Sequence, residues 1–339
     1  MNIGKVKRSA TFVATLVYMD EPQLIHLIST TVPVVALAIP SNDASQALFG
    51  AVTSTRDDWE RYLEGECDLR YLFTYPKALM PYWFDLNRIK NGRVTMTPYE
   101  AGFPEEFLPP ARFFSSAHTE DFELLAQPVN SEKLLVDGEW QLQEFGRFYQ
   151  RYSDLYAFSV AQKNYRSVNV ADAVREKIRE AFRGRPFQGG SSYLHLFNDL
   201  FAGLARNERI GLNQVEYASP GFVDVNGRAD AFEEVNNSVA SFLEHHIGLQ
   251  EMYSKLHGYL SERGYLKMAG HQFADNDPSR DFIASSAREM ADALPPIAFD
   301  TVLSLSNGNA LVAAKVVLSY YRRLEEAASY FAQGRVAFE

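Results

Sequence analysis

Apolar side chains recur at alternating steps of three and four residues throughout the stretch 229–262. This spacing places them along one line on the surface of an α-helix, and acidic residues such as Glu244 and Glu251 lie off that line. We call this line the interaction seam. The interaction seam comprises Phe232, Val235, Val239, Phe242, His246, Leu249, Tyr253, Leu256 and Leu260. A helix must bury so long an apolar line, so the pattern predicts packing against a second helix, in this chain or in a partner.

A second line with the same spacing runs through the C-terminal region, near residues 310–333. Its members are Ala313, Val317, Tyr320, Leu324, Ala327 and Phe331. Gly334 follows them as the expected helix stop. This second helix is the best partner for the interaction seam within the chain. The same periodicity points Tyr320 inward and leaves Arg322 and Arg323 near solvent, which argues against a ligand clamp made by these arginines.

Short runs of β-branched and aliphatic residues dominate the N-terminal region and are typical of strands. The predicted strands are 11–19, 23–29, 32–39, 48–53, 80–86 and 93–97. Turn residues separate them, for example Asp20-Glu21-Pro22 and Asn91-Gly92. Ser54 or Thr55 is a candidate N-cap for a short helix that ends at Gly65. The pattern predicts a small antiparallel sheet or a partly open barrel.

Helical periodicity replaces the strand pattern after residues 100–137, a proline-rich and acidic stretch that we interpret as an irregular connection. Further helices are predicted at 140–161, 170–182, about 193–205 and 279–294. A β-hairpin near 210–225 interrupts them. The chain is therefore predicted to have an α+β fold with two domains. A β-rich module occupies residues 1–130, and a mainly helical domain with the inserted hairpin occupies residues 131–339.

Three stretches of the N-terminal region are similar to an uncharacterised bacterial domain family of unknown function. They are 16–24 (LVYMDEPQL), 49–53 (FGAVT) and 63–70 (LEGECDLR), and the resemblance covers about residues 1–100. It implies a small β-rich module and brings no catalytic residues with it. It also suggests membership of a bacterial multi-protein system, for example one of antiviral defence.

Composition and charge exclude several classes of protein. The formal net charge is −10 and both halves of the chain are acidic, which disfavours extended binding to a nucleic-acid backbone. The single cysteine, Cys67, excludes an intrachain disulfide and a multi-cysteine metal site. A signal peptide and an uncharged apolar run of about 18 residues are both missing from the sequence, so we predict a cytoplasmic protein that does not enter a membrane.

Histidines are the first candidates for chemistry. His246 and His257 lie eleven residues apart on one helix face, about 16 Å along the axis, which is too far to share one metal ion. The expected role of His246 is therefore a buried, hydrogen-bonded histidine that fixes helix register. His271, Asp275 and Asp277 lie close in sequence, but their spacing fits a helix-capping loop better than a cation loop.

Other nucleophile, metal and cofactor motifs do not stand out. Cys67 and His26 could form a nucleophile pair, yet the neighbouring acids Glu66 and Asp68 favour the protonated thiol. We therefore predict no catalytic residue, no metal ligand and no cofactor.

One segment, 175–192, is locally basic and leads into a glycine-rich loop before a helix. Free backbone N–H groups at such a helix start can bind an anion, and nearby arginines would strengthen the contact. The candidate anion or nucleotide contacts are Arg179, Arg183, Arg185, Gly190 and Ser191. The segment has neither the lysine nor the length of a P-loop.

Two functions follow from these patterns. The favoured hypothesis is a non-enzymatic interaction or regulatory protein that binds a protein partner or a second copy of itself through apolar, aromatic surface. The alternative is an effector that acts on a nucleotide or nucleic acid through the basic segment 175–192.

Overall fold

A computed structural model describes residues 7–41, 43, 45–76, 80–99, 101–118, 130–189 and 193–339. The chain divides into two compact units, Met1–Ala126 and Gln127–Glu339. The sequence places the boundary a few residues later, between 130 and 131. The predicted α+β fold is confirmed, with a barrel of strands first and a mainly helical region second.

The first unit contains a closed barrel of six antiparallel strands that follow one another around the ring. They are β1 (Arg8–Met19), β2 (Glu21–Ser29), β3 (Val32–Ala38), β4 (Leu48–Thr53), β5 (Pro81–Asp85) and β6 (Arg93–Pro98). β6 pairs back with β1, so that Arg8 lies opposite Met96 and Thr11 opposite Arg93. Each of these strands therefore has a neighbour on both sides, and the barrel is closed rather than partly open.

Two short helices, α1 (Arg56–Leu63) and α2 (Leu69–Thr74), join β4 to β5. Thr55 is the N-cap of α1, and its side chain accepts a hydrogen bond from the Asp58 backbone N–H, as the sequence predicted. Alternation along the strands separates two apolar layers. One fills the barrel, with Ile25, Leu27 and Phe84 among its members. The other lies between the outside of the barrel and the two helices.

The second unit contains seven helices within the described residues. They are α3 (Leu142–Arg166), α4 (Asp172–Arg183), α5 (Leu194–Gly203), α6 (Ala229–Glu262), α7 (Arg280–Asp292), α8 (Phe299–Leu305) and α9 (Ala310–Ala332). The long helices predicted near 229–262 and 310–333 are confirmed as α6 and α9. Helix α9 is central, since it packs against α3, α6, α7 and α8.

A four-stranded antiparallel sheet accompanies the helices, in the order β10-β7-β9-β8. Its strands are β7 (Asn130–Val136), β8 (Gly211–Glu216), β9 (Gly221–Gly227) and β10 (Val336–Phe338). The predicted hairpin is β8 and β9. The interpretation of 100–137 as wholly irregular is wrong at its end, because 130–136 forms the inner strand β7. Local patterns do not predict β7, because the strands that pair with it, β9 and β10, lie far away in the sequence.

Candidate functional site

Helix α9 is anchored by a buried arginine. The Arg323 Nε donates to Asp154 Oδ2 of α3 at 2.7 Å, and its guanidinium lies 3.6 Å from the centroid of the Phe197 ring in α5. Only 2% of Arg323 is exposed, so the expectation that it lies near solvent is wrong. Burial raises the pKa of the Asp154 carboxyl and lowers the pKa of Arg323 to about 10. The cost of removing both groups from water therefore outweighs their mutual attraction.

A buried lysine anchors the N-terminal part of the same helix. The Nζ of Lys315 donates to the backbone oxygens of Phe187 and Met268, each at 2.6 Å, and of Leu266 at 3.2 Å. Lys315 is fully buried and has no carboxylate partner among the described residues. Burial lowers the pKa of Lys315 to about 8. Three carbonyl acceptors match the three donors of an ammonium group, so Lys315 ties two loops to α9.

Helix α6 is bent near its middle. His245 has non-helical dihedral angles, φ −115° and ψ 16°. The Nδ1 of His245 lies 3.0 Å from the Ser241 oxygen, and the Nδ1 of His246 lies 3.1 Å from the Leu243 oxygen. A carbonyl oxygen can only accept, so the hydrogen lies on Nδ1 in both rings. The two side chains thus bond to carbonyls at the point where the helical ladder is interrupted.

The bend separates the interaction seam into two buried parts. Seven of its members are buried within the unit: Phe232, Val235, Val239, Phe242, Leu249, Leu256 and Leu260. Tyr253 is half-buried and stacks on Tyr321 of α9, with 4.6 Å between ring centroids. His246 is exposed, so the expectation that it is buried is wrong. His246 follows the non-helical turn at His245, and its side chain lies in an open space between α6 and α9 instead of in the core.

A groove of about 250 Å³ opens between α6 and α9 at this bend. We call it the kink groove. Its lining residues are Phe242, Leu243, His246, Gln250, Tyr321, Glu325, Ala328, Ser329 and Ala332. Small side chains at Ala328 and Ala332, four residues apart on α9, provide its space. Leu243 and Ile247 are exposed beside it, at 37% and 66%.

One carboxylate lies in the lining of the kink groove. Glu325 lines the groove and accepts a hydrogen bond from the Tyr321 hydroxyl at 3.3 Å. Between residues 229 and 254 the sequence of α6 holds no lysine or arginine, and none follows Arg323 within α9. The lining is thus mostly apolar, with the negative charge of Glu325 at one side.

Sequence analysis identified only Phe242 and His246 of this groove in advance. Leu243 and Ile247 lie one turn apart beside the interaction seam, and two apolar residues at that spacing on a predicted polar face are a signal that could have found it. The contribution of α9 could not be found in this way. It depends on how two distant helices meet.

The basic segment is engaged in local contacts. Arg179 pairs with Glu176 at 2.8 Å, and Arg185 pairs with Asp199 at 3.2 Å. Arg183 donates to the backbone oxygens of Ser304 and Leu305 at the end of α8. Gly190 and Ser191 lie outside the described residues. Arg179 and Arg185 are thus paired with carboxylates, whereas Arg183 is held by carbonyl oxygens alone.

The surroundings of the remaining chemical candidates do not form an active site. Asp277 accepts from the Tyr265 hydroxyl at 2.9 Å and from the Ser279 backbone N–H at 2.8 Å, so it acts as a cap. The His26 ring lies against Trp59 at a tilt of 31°, with 4.6 Å between centroids, and its buried Nε2 has no hydrogen-bond partner among the described residues. Burial raises the pKa of the Cys67 thiol. Within the described part of the chain, no group of three histidine, cysteine, aspartate or glutamate side chains could hold a metal ion.

Comparison of the chain with protein-family models, curated proteins and solved structures gives no match. Among the helices that the structure describes, none is both long enough and apolar enough to cross a membrane.

Proposed function

We propose that this protein is a non-enzymatic interaction component that binds a basic amphipathic helix of a partner protein in the kink groove. The observation that carries the proposal is the open, mostly apolar groove at the bend of α6, with the Glu325 carboxylate in its lining. The rest of the interaction seam is buried against the same unit and is not a surface for a partner. Leu243 and Ile247 are the apolar contacts that remain exposed.

The size of the kink groove supports a side-chain anchor. About 250 Å³ is below the range of roughly 300–1,000 Å³ that is usual for small-molecule and cofactor sites. One or two large apolar side chains on successive turns of a helix would fill it. Helix-in-groove binding commonly uses anchors at such spacing.

The charge in the groove lining indicates the character of the partner. Glu325 would attract a lysine or arginine residue that flanks an apolar anchor. The same charge disfavours a symmetric dimer through this groove, because a two-fold contact would bring two Glu325 carboxylates together. The whole chain also carries a net charge of −10, so a second copy is a poor electrostatic match. A role in antiviral defence rests only on the resemblance of the N-terminal region and stays a prediction.

Site-specific photocrosslinking in the source cells tests the proposal. A photoreactive residue at position 247 should capture one defined protein with a basic amphipathic segment. A synthetic peptide of that segment should bind the purified chain. Ile247→Glu and Leu243→Glu should each weaken that binding by about ten-fold or more, since each places a charge in an apolar contact.

Leu142→Glu is the matched control, because Leu142 is 82% exposed at the start of α3 and does not line the groove. It should bind the peptide like the unmodified chain. Native mass spectrometry distinguishes self-association. If crosslinking at 247 captures only a second copy of this chain, or if the peptide binds the two groove variants unchanged, the proposal is wrong.

A further inference from the structure

A second groove lies in the barrel unit, where β4 ends and α1 begins. Its volume is about 290 Å³, and it is lined by Arg8, Thr31, Val32, Pro33, Thr53, Ser54, Thr55, Arg56, Pro76 and Met80. We call it the strand-end groove. Two arginines and four hydroxyl side chains stand over an apolar floor formed by Val32, Pro33, Pro76 and Met80. The arrangement is independent of the kink groove.

The start of α1 presents backbone donors at this position. Thr55 caps the helix and uses its side chain on the Asp58 N–H. The N–H groups of Arg56 and Asp57 have no acceptor among the described residues, as is usual for the first turn of a helix. Such groups, together with the helix dipole, favour a bound anion.

The hydroxyl of Thr53 supplies an independent indication of a ligand. Thr53 is 8% exposed, lines the strand-end groove, and has no side-chain hydrogen-bond partner within the described residues. Its Oγ1 is not one of the fully enclosed side-chain atoms, so the hydroxyl is reached from the open groove. By contrast, the Oγ of the neighbouring Ser54 donates to the Thr55 oxygen at 3.1 Å. Thr53 therefore has a donor available for a group in the groove.

The charges around the strand-end groove favour an anion. Arg8 forms no ion pair with a described residue, and Arg56 pairs only with Glu60 at 3.1 Å, with most of its side chain exposed. Asp57 and Asp58 lie in the first turn of α1 but do not line the groove. Asp58 is engaged by the hydroxyls of Thr55 and Tyr71.

From this geometry we infer that the strand-end groove binds a phosphate monoester. The Thr53 hydroxyl, the first N–H groups of α1 and the guanidinium groups of Arg8 and Arg56 hold the phosphate oxygens. The volume equals that of about ten water molecules, which is more than one tetrahedral oxyanion needs. The apolar floor takes the organic part of the ester.

Calorimetric titration of the full chain tests this inference with adenosine monophosphate and inorganic phosphate as probes. Adenosine and sodium sulfate at matched ionic strength are the controls. Adenosine monophosphate should bind saturably and more tightly than inorganic phosphate, and adenosine should not bind. The double variant Arg8→Ala/Arg56→Ala should weaken binding by about ten-fold or more, because two charged donors are lost.

Thr53→Val is the sharper variant, because it removes the hydroxyl at nearly constant shape. It should weaken binding by about three- to ten-fold. Arg93→Ala is the matched control, since Arg93 is an exposed arginine of the same barrel that does not line the groove. Binding that is absent, or equal in all four proteins, would overturn the site. Equal affinity for phosphate and adenosine monophosphate would overturn the assignment to an ester.

Discussion

The two ends of helix α9 share one apolar pattern and have opposite surroundings. Residues 310–321 are all buried, with Lys315 enclosed by three carbonyl groups, and we call this the closed end. Residues 322–332 expose one face and border the kink groove, and we call this the open end. Helices α7 and α8 pack on α9 together with α3 and α6. The comparison shows that an apolar line on a helix does not by itself determine whether a surface is buried.

The bend of α6 accounts for part of the difference. Before His245 the interaction seam is continuous, from Phe232 to Phe242, and it is buried. At His246 one seam position is turned outward, and Ala328 and Ala332 of α9 are too small to fill the space. The groove is thus a local interruption in a long packed interface, and the following predictions test how far the two ends differ.

The largest effect is expected where the closed end meets the open end, at Arg323. Arg323→Met leaves the Asp154 carboxylate buried, with only Arg151 at 3.4 Å. We expect the free energy of unfolding to fall by about 3–5 kcal/mol in urea denaturation. The double variant Asp154→Leu/Arg323→Met should recover most of the loss. If the double variant is as unstable as the single one, the pair must stabilise the fold through contacts other than the neutralisation of its own buried charges.

Truncation of a leucine at the closed end and of a leucine of α6 in the kink groove compares the two surroundings. Leu311 is fully buried at the closed end, whereas Leu243 is 37% exposed beside the groove. Leu311→Ala should lower the free energy of unfolding by about 2–5 kcal/mol, because it removes buried methyl groups and leaves a cavity. Leu243→Ala should change it by about 0.5 kcal/mol or less. Equal losses in urea denaturation would contradict the distinction between closed and open ends.

The buried lysine gives the closed end a distinctive pH dependence. Burial lowers the pKa of Lys315 from 10.5 to about 8, so the unfolded chain keeps this proton at pH values where the folded chain has released it. Stability from this group therefore rises as the pH increases from about 8 to about 10.5. Relative to Lys315→Met, the unmodified chain should gain on the order of 3 kcal/mol or less over that range.

Urea midpoints at several pH values between 7 and 10.5 measure this difference. Lys255→Met is the control, because Lys255 is an exposed lysine of the same unit and should give a flat difference. A difference between the unmodified chain and Lys315→Met that stays flat, or falls as the pH rises, would be incompatible with the lowered pKa.

The smallest effect is expected in α6, at a glycine near the bend that faces the open end of α9. A Cβ at Gly248 would meet open space, and the same is true of Gly258 further along α6. Gly248→Ala and Gly258→Ala should each raise the free energy of unfolding by about 0.5–1 kcal/mol, because alanine loses less backbone entropy in a helix. A loss of stability confined to Gly248→Ala would mean that the bend depends on this glycine rather than on the His245 and His246 contacts.

Local patterns predicted most of the secondary structure. The limits of α6, the cap at Thr55 and the strands of the barrel follow from spacing and turn residues, which act over a few neighbours. Strand β7 was missed, and Arg323 was placed near solvent. In both cases a distant partner decides the outcome, β9 for the strand and Asp154 with Phe197 for the arginine. The pattern of residues within one segment does not reveal partners that lie far away in the sequence.

The two candidate sites depend on distant contacts even more than the secondary structure does. Phe242 and His246 belong to a predicted apolar line, yet their place in the groove comes from the bend at His245, which lies between them. Ala328 and Glu325 line the kink groove only because α9 crosses α6 there. Arg8, Thr53 and Arg56 come together only because the barrel closes beside the start of α1.

Propensity, capping and apolar periodicity are properties of short segments, so the amino-acid sequence alone predicts where the helices and strands form. The acidic character of the chain and the lack of a multi-cysteine site are also read from it directly. Which apolar faces stay open, and which arginines lack a carboxylate partner, depends on contacts between residues far apart in the chain. The apolar line of α6 runs through His246 without a break in the sequence, yet His246 and Ile247 are both exposed where α6 bends beside α9.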